Sequence, residues 1–135
     1  MNTRTEAQPR IRLHKPEDFV KMRKAGQLTA QLLDILVEET KPGVTTAALD
    51  RICVEFARDN NAIPATIGYR GYKYALCTSI NHVVCHGIPS DKKLKDGDIL
   101  NIDVAMVIDG YYGDTSRMFF VGKPSIAGKR LSDAT

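Results

Sequence analysis

Apolar residues follow a helical spacing early in the chain and give way to β-branched and aromatic runs broken by turns from Ala65 onward. The first helix is predicted to begin at Pro16-Glu17-Asp18, because proline fits the first turn and two acidic residues complement the helix dipole. It is predicted to continue until Lys41-Pro42-Gly43 stops it. Its expected buried stripe consists of Met22, Ala25, Leu28, Leu32, Ile35 and Leu36.

A second helix is predicted to follow, capped by Thr45 or Thr46 and ended by Asp59-Asn60-Asn61. Its apolar residues recur at helical spacing; they are Leu49, Ile52, Cys53, Phe56 and Ala57. The sequence then predicts a glycine-punctuated loop at residues 68–72, a short strand at residues 75–80, an apolar stretch at residues 83–86 and, after residues 122–124, the beginning of a further helix. Two helices followed by an antiparallel sheet predict an α+β fold, with the helices on one sheet face.

The segments Ile99–Ile108 and Tyr111–Val121 are predicted to form a hairpin, because an Asp109-Gly110 pair between β-branched and aromatic runs is a strong hairpin signal. A two-residue loop places Asp103 and Asp114 on one sheet face as diagonal neighbours. Diagonal neighbours lie roughly 7–8 Å apart at the backbone, so their carboxylates could share cations about 3.5–4 Å apart. Burying two like charges without compensation would be costly, and divalent cations accept carboxylate oxygens.

Two alternatives to a metal site remain open at this level. One aspartate could serve the turn while the other pairs with a basic residue such as Arg117 at a strand edge. A slip of one residue in the register would also send the two aspartates to opposite faces.

His86, before a Gly-x-Pro turn, is a candidate metal ligand or hydrogen-bond donor to a substrate, and the alternative is a capped or solvated histidine. Tyr69, Tyr72 and Cys77 could wall a small apolar pocket, and the alternative is ordinary packing.

The composition argues against nucleic-acid-binding, disulfide-bonded and membrane-spanning proteins. The 135 residues suffice for one domain, and 19 basic against 16 acidic residues give a formal charge of +3 without an aromatic-interleaved basic patch that would indicate nucleic-acid binding. Three cysteines without paired spacing favour reduced thiols. The polar residues 1–14 are predicted to form a flexible arm, and without a signal sequence or apolar span the expected location is cytoplasmic, with no membrane contact.

Three blocks together resemble type I methionine aminopeptidases: Asn81–Pro89, Asp96–Val104 and Gly110–Ser116. Their order and spacing fit that family, and the similarity extends from about Lys15, including the Lys41–Thr46 junction. The resemblance implies that residues 15–135 form the N-terminal half of a pita-bread fold, which is built from two related α+β halves.

The family removes the initiator methionine from new polypeptides with two divalent cations, so nascent polypeptide N-termini would be the partner. The resemblance implies that Asp103 is a metal ligand, that Asp114 bridges both ions, and that His86 faces the substrate as a catalytic residue without binding metal. Tyr69, Tyr72 and Cys77 would line the methionine side-chain pocket. Carboxylate ligands accept manganese, iron, cobalt or zinc, so the sequence does not select the metal. Association with the ribosome would suit such a substrate, although no residue indicates it.

The resemblance also implies that several active-site residues of the family are absent from these 135 residues. The family's other ligands, one histidine and two glutamates, and a second active-site histidine follow in its C-terminal half, so the chain is expected to be a truncated form with weak or no activity by itself. Two alternative functions remain: a proline-specific pita-bread aminopeptidase, and a non-catalytic half-domain that binds peptides or a partner protein through its open sheet face.

Overall fold

The helices begin and end where local signals predict. In the computed structural model, which describes Ile11 and residues 13–135, α1 spans Pro16–Glu39 and α2 spans Thr46–Asp59. Of the two candidate caps, Thr45 caps α2, because its side chain accepts a hydrogen bond from the Ala48 N–H at 3.2 Å. Thr46 is instead buried, and its hydroxyl exchanges two hydrogen bonds with the backbone of Ser90.

The sheet is antiparallel and is built around one long strand. Its strands are β1 (Ile63–Pro64), β2 (Leu76–Ile80), β3 (Ile99–Ile108) and β4 (Tyr111–Phe120). β4 pairs with β3 along its whole length, and β1 and β2 both pair with β3 at different heights. Since a strand has two edges, β1 and β2 lie end to end along the edge opposite β4.

One face of this sheet forms the core with α1 and α2. Residues of β3 alternate between buried and half-buried, and the buried set is Leu100, Ile102, Val104, Met106 and Ile108. They belong to the same cluster as Leu32 and Leu36 of α1 and Leu49 and Cys53 of α2. The predicted α+β arrangement with helices on one face is confirmed, and the alternate residues of β3 and β4 are left on the other, open face.

The predicted stripe of α1 is partly wrong. Met22 and Ile35 are 39% and 43% exposed, whereas Thr29 and Leu33 are buried. The buried positions are 25, 28, 29, 32, 33 and 36, a wider stripe centred differently around the helix. The helix packs against both β4 and β3. The residues of α1 that become buried are therefore determined by the sheet surface and not by the hydrophobic periodicity alone.

A third helix, α3 (Ile126–Ala134), follows the Gly-Lys-Pro segment as predicted, with Ser125 as its N-cap. The apolar stretch Val83–His86 forms no strand, and Val84 is 94% exposed. Of the predicted flexible arm, residues 1–10 and 12 lie outside the described residues, while Ile11 and Leu13 are exposed. No helix in the described part of the chain is long and apolar enough to cross a membrane.

Candidate metal centre and adjoining pocket

The β3–β4 hairpin has the register that the Asp109-Gly110 turn predicts. Ile108 pairs with Tyr111, and both turn residues have positive φ, 53° for Asp109 and 80° for Gly110. Counting back along both strands, Asp103 pairs with Ser116 and Asp114 pairs with Ala105. The two aspartates are therefore diagonal neighbours on the open face.

The two carboxylates share one cavity. Asp103 and Asp114 both line a cavity of about 280 Å³, together with Ala65, Thr66, Tyr69, Cys77, His86, Ala105 and Tyr112. Burial raises the pKa of Asp103, the negative charge of Asp114 raises it further, and His86 opposes the shift. This carboxylate therefore lies where its own negative charge is disfavoured.

The salt-bridge alternative with Arg117 is wrong. Arg117 lies on the helix side of β4 and binds Asp34 of α1, with 2.8 Å between Nη1 and Oδ1. The turn residue Asp109 pairs with Lys24 at 3.0 Å. Neither Asp103 nor Asp114 takes part in an ion pair among the described residues.

A second cavity, of about 570 Å³, adjoins the first. It is lined by Thr66, Tyr69, Arg70, Gly71, Tyr72, Cys77 and His86, four of which also line the cavity of the aspartates. Cys77 reaches it from β2, where it pairs directly with Asp103 of β3. All six residues predicted for the site, Tyr69, Tyr72, Cys77, His86, Asp103 and Asp114, thus line one continuous depression, while their roles stay predictions.

A close backbone contact fixes His86 beside β2. The next residue, Gly87, accepts a hydrogen bond from the Thr78 N–H at 2.8 Å and donates one to Ser79 Oγ at 3.1 Å. A Cβ atom at Gly87 would lie 1.9 Å from the Thr78 carbonyl oxygen, so no larger residue fits without movement. His86 itself has φ +52°, in the left-handed region, which turns the chain at the rim of the cavity. A nearby histidine, His82, is exposed and lines neither of the two cavities.

Sequence reasoning missed Arg70 and Asp50. Arg70 lines the larger cavity, with its guanidinium carbon 5.5 Å from the centre of the Tyr69 ring. The Asp50 carboxylate on α2 accepts hydrogen bonds from the Ala75 N–H at 2.7 Å and the Leu76 N–H at 3.3 Å. The helical pattern gave no signal for this contact, because the two partners are 25 and 26 residues away.

The three cysteines are free thiols in different surroundings, and we expect them to react with iodoacetamide in a fixed order. Cys85 is exposed and should be alkylated first. Burial raises the pKa of Cys77, an effect that the neighbouring Tyr72 hydroxyl opposes, so this thiol should react more slowly. Burial, with a contribution from Asp50, raises the pKa of Cys53 to about 12, so it should react only on unfolding. Peptide mass spectrometry over time measures the order, and equal rates in the native protein would contradict it.

Among the described residues, no group of three or more histidine, cysteine, aspartate or glutamate side chains is arranged to hold a metal ion. The donor set consists of two carboxylates on adjacent strands. Such oxygen donors suit a divalent cation, and two of them form part of a coordination sphere.

The chain is similar in sequence to curated methionine aminopeptidases. The chain is 54% identical over 125 residues to a methionine aminopeptidase of Rickettsia prowazekii and 54% identical over 127 residues to that of Escherichia coli K12. Each alignment covers 93% of this chain and 48% of the relative, so the chain spans about half the length of these curated relatives.

Solved structures show the same fold. The crystal structure of the Rickettsia prowazekii methionine aminopeptidase superposes with a TM-score of 0.91, covering 93% of this chain and 51% of that one. The Thermotoga maritima methionine aminopeptidase has 38% identity and a TM-score of 0.89, with the same coverage. A Pyrococcus furiosus prolidase, 20% identical with a TM-score of 0.77 over 90% of this chain and 34% of its own, shares the fold alone. The predicted fold class, one half of a pita-bread fold, is confirmed.

The sequence profile of metallopeptidase family M24 matches residues 20–135, which include both aspartates, the histidine at the cavity rim and the tyrosine-lined pocket. With that match and the structural agreement above, this chain belongs to metallopeptidase family M24.

Proposed function

We propose that this chain contributes the substrate pocket and two metal ligands to an aminopeptidase that removes the initiator methionine from new polypeptides. The observation that carries the proposal is the placement of Asp103 and Asp114 on one open sheet face, beside a cavity walled by tyrosine and cysteine side chains. The names of the relatives, methionine aminopeptidases, support methionine as the residue removed.

Asp103 and Asp114 are proposed to hold two divalent cations, of manganese, iron, cobalt or zinc. Because burial and the neighbouring Asp114 disfavour the ionised form of Asp103, a bound cation would relieve an electrostatic cost already present in the folded chain. When bound, such cations act as Lewis acids and lower the pKa of a coordinated water. Among the described residues, Asp103 and Asp114 are the acidic residues that line the cavity, and no third potential ligand is grouped with them, so the chain by itself should bind metal weakly and show little or no activity.

The remaining cavity residues are proposed to bind the substrate. Tyr69, Tyr72 and Cys77 offer aromatic and sulfur surface to an unbranched apolar side chain such as that of methionine. His86 lines both cavities, so its ring lies where it could donate a hydrogen bond to the peptide group that leads from that side chain toward the carboxylates. The partners would be the N-termini of nascent polypeptides in the cytoplasm, where ribosome association would bring enzyme and substrate together.

Peptide binding with and without metal tests this function. We expect the tripeptide Met-Ala-Ser to bind more tightly when Mn²⁺ is added, and Lys-Ala-Ser to bind more weakly under both conditions, as followed by NMR titration. The Mn²⁺ dependence should become weaker in Asp103→Asn, because one of the two ligands is then replaced by a neutral amide.

Methionine release is measured in the same samples. Rapid release that is lost in Asp103→Ala would support the function and contradict the weak activity expected of this chain. Equal affinity for the two tripeptides, unchanged by Mn²⁺, would overturn the proposal and favour the non-catalytic half-domain.

A further inference from the structure

The wall of the larger cavity is attached to α2 through the backbone of Ala75 and Leu76. Asp50 accepts the Ala75 N–H at 2.7 Å and also the Leu76 N–H at 3.3 Å. One turn later on the same helix, Cys53 Sγ lies 3.4 Å from the Ala75 carbonyl oxygen as a hydrogen-bond donor. Both backbone groups of Ala75 are therefore held by side chains of α2.

The attachment continues into the cavity. The Tyr72 hydroxyl donates a hydrogen bond to the Leu76 carbonyl oxygen at 3.0 Å, and Cys77 is the next residue of β2. Tyr72 and Cys77 both line the larger cavity. A shift of the Ala75–Leu76 backbone would therefore move two cavity-lining side chains together.

The Asp50 carboxylate does not cap the helix to which it belongs. Thr45 caps α2, and the Asp50 carboxylate leaves the helix to bind the beginning of another element. Burial raises the pKa of Asp50, while the Ala75 and Leu76 N–H groups and the charge of Arg51 oppose the shift. A half-buried carboxylate at this position is costly, and its bonds to the strand offset part of that cost.

We propose that Asp50 is a positioning residue for substrate selection: by holding the Ala75 and Leu76 N–H groups, it places Tyr72 and Cys77 at the spacing that accepts a long apolar side chain. The inference rests on the proposed function for the identity of that side chain. It assigns a role in specificity to a residue of α2 that lines neither cavity.

The test compares Asp50→Ala and Asp50→Asn with Asp59→Asn, a matched control. Asp59 ends the same helix, is 65% exposed and pairs only with its neighbour Arg58 among the described residues. The readout is the ratio of affinities for Met-Ala-Ser and Ala-Ala-Ser, measured by NMR titration. A purely structural defect lowers both affinities by the same factor, whereas a displaced pocket wall lowers only the first.

We expect the ratio to fall about tenfold in Asp50→Ala, since a misplaced apolar contact reduces side-chain discrimination by that order. Asp50→Asn keeps an acceptor oxygen without the charge, so its ratio should lie between wild type and Asp50→Ala. The ratio should be unchanged in Asp59→Asn. An unchanged ratio in Asp50→Ala, or equal losses for both peptides, would overturn the inference.

Amide hydrogen exchange separates failure of this inference from failure of the proposed function. If wild type binds neither peptide, the proposed function fails. The inference then depends on exchange at residues 68–77, which Asp50→Ala should accelerate while leaving β3 and β4 protected. Uniform acceleration, or none, would overturn it. Should Asp50→Ala fail to fold, the same comparison is made with Asp50→Asn.

Discussion

Replacing both Asp103 and Asp114 with asparagine is expected to abolish Mn²⁺ binding and to make the metal-free chain more stable. Each single replacement should weaken Mn²⁺ binding by at least about tenfold, because each removes half of the charged donor set. The free energy of unfolding without metal should rise by a few tenths to about 1 kcal/mol, because the raised pKa of Asp103 shows that its charge is disfavoured in the folded chain and water screens part of that cost.

Isothermal titration with Mn²⁺ measures the first effect, and urea denaturation with EDTA measures the second. Asp109→Asn is the control, because Asp109 belongs to the same hairpin but lies in its turn, paired with Lys24. It should leave Mn²⁺ binding unchanged. Binding that persists in the double variant would show that the aspartate pair is not the metal site.

Replacing Gly113 with alanine is expected to cause a large loss of stability. A Cβ atom at Gly113 would lie 2.3 Å from the Ala25 carbonyl oxygen and 2.8 Å from the Gly26 nitrogen, both backbone atoms of α1. Overpacking usually destabilises a protein by about 1–3 kcal/mol. Here the clashing atoms belong to the backbone of a 24-residue helix, so relieving the clash would require a shift of that helix. We therefore expect a loss of about 3 kcal/mol or more in urea denaturation.

Gly26→Ala is the matched control, on the helix that faces Gly113. An added Cβ at Gly26 has no atom within 4 Å, and alanine favours a helix interior over glycine by about 0.5–1 kcal/mol. One glycine-to-alanine change should thus stabilise the protein and the other destabilise it. Equal stability of Gly113→Ala and wild type would mean that α1 does not lie against β4 this closely.

The placement of Asp103 and Asp114 on one sheet face was predictable, because it depends on residues that are close to them in the sequence. The Asp109-Gly110 turn fixes the pairing of β3 with β4, and an alternation of two along each strand then decides which side chains share a face. The helix ends were predictable for the same reason, since Pro16 and Thr45 act within one turn of themselves.

The residues of the pocket were harder to predict from the sequence than the placement of the two aspartates. Tyr69, Tyr72 and Cys77 were candidates by composition, and only the family resemblance favoured them over ordinary packing. Asp50 gave no signal, because an acidic residue on a helix is ordinarily solvated and its partners lie 25 and 26 residues later.

Turn and cap chemistry within a few residues sets the helix limits and the hairpin register, and therefore brings Asp103 and Asp114 to one sheet face. The buried stripe of α1, the placement of His86 beside β2 by Gly87 and the attachment of the pocket wall to α2 arise only when the elements pack together. Those features depend on contacts between segments that are distant in the sequence. The missing side chain of Gly87 and the carboxylate of Asp50 are essential to two of these contacts, and the hydrophobic periodicity of the sequence does not indicate either one.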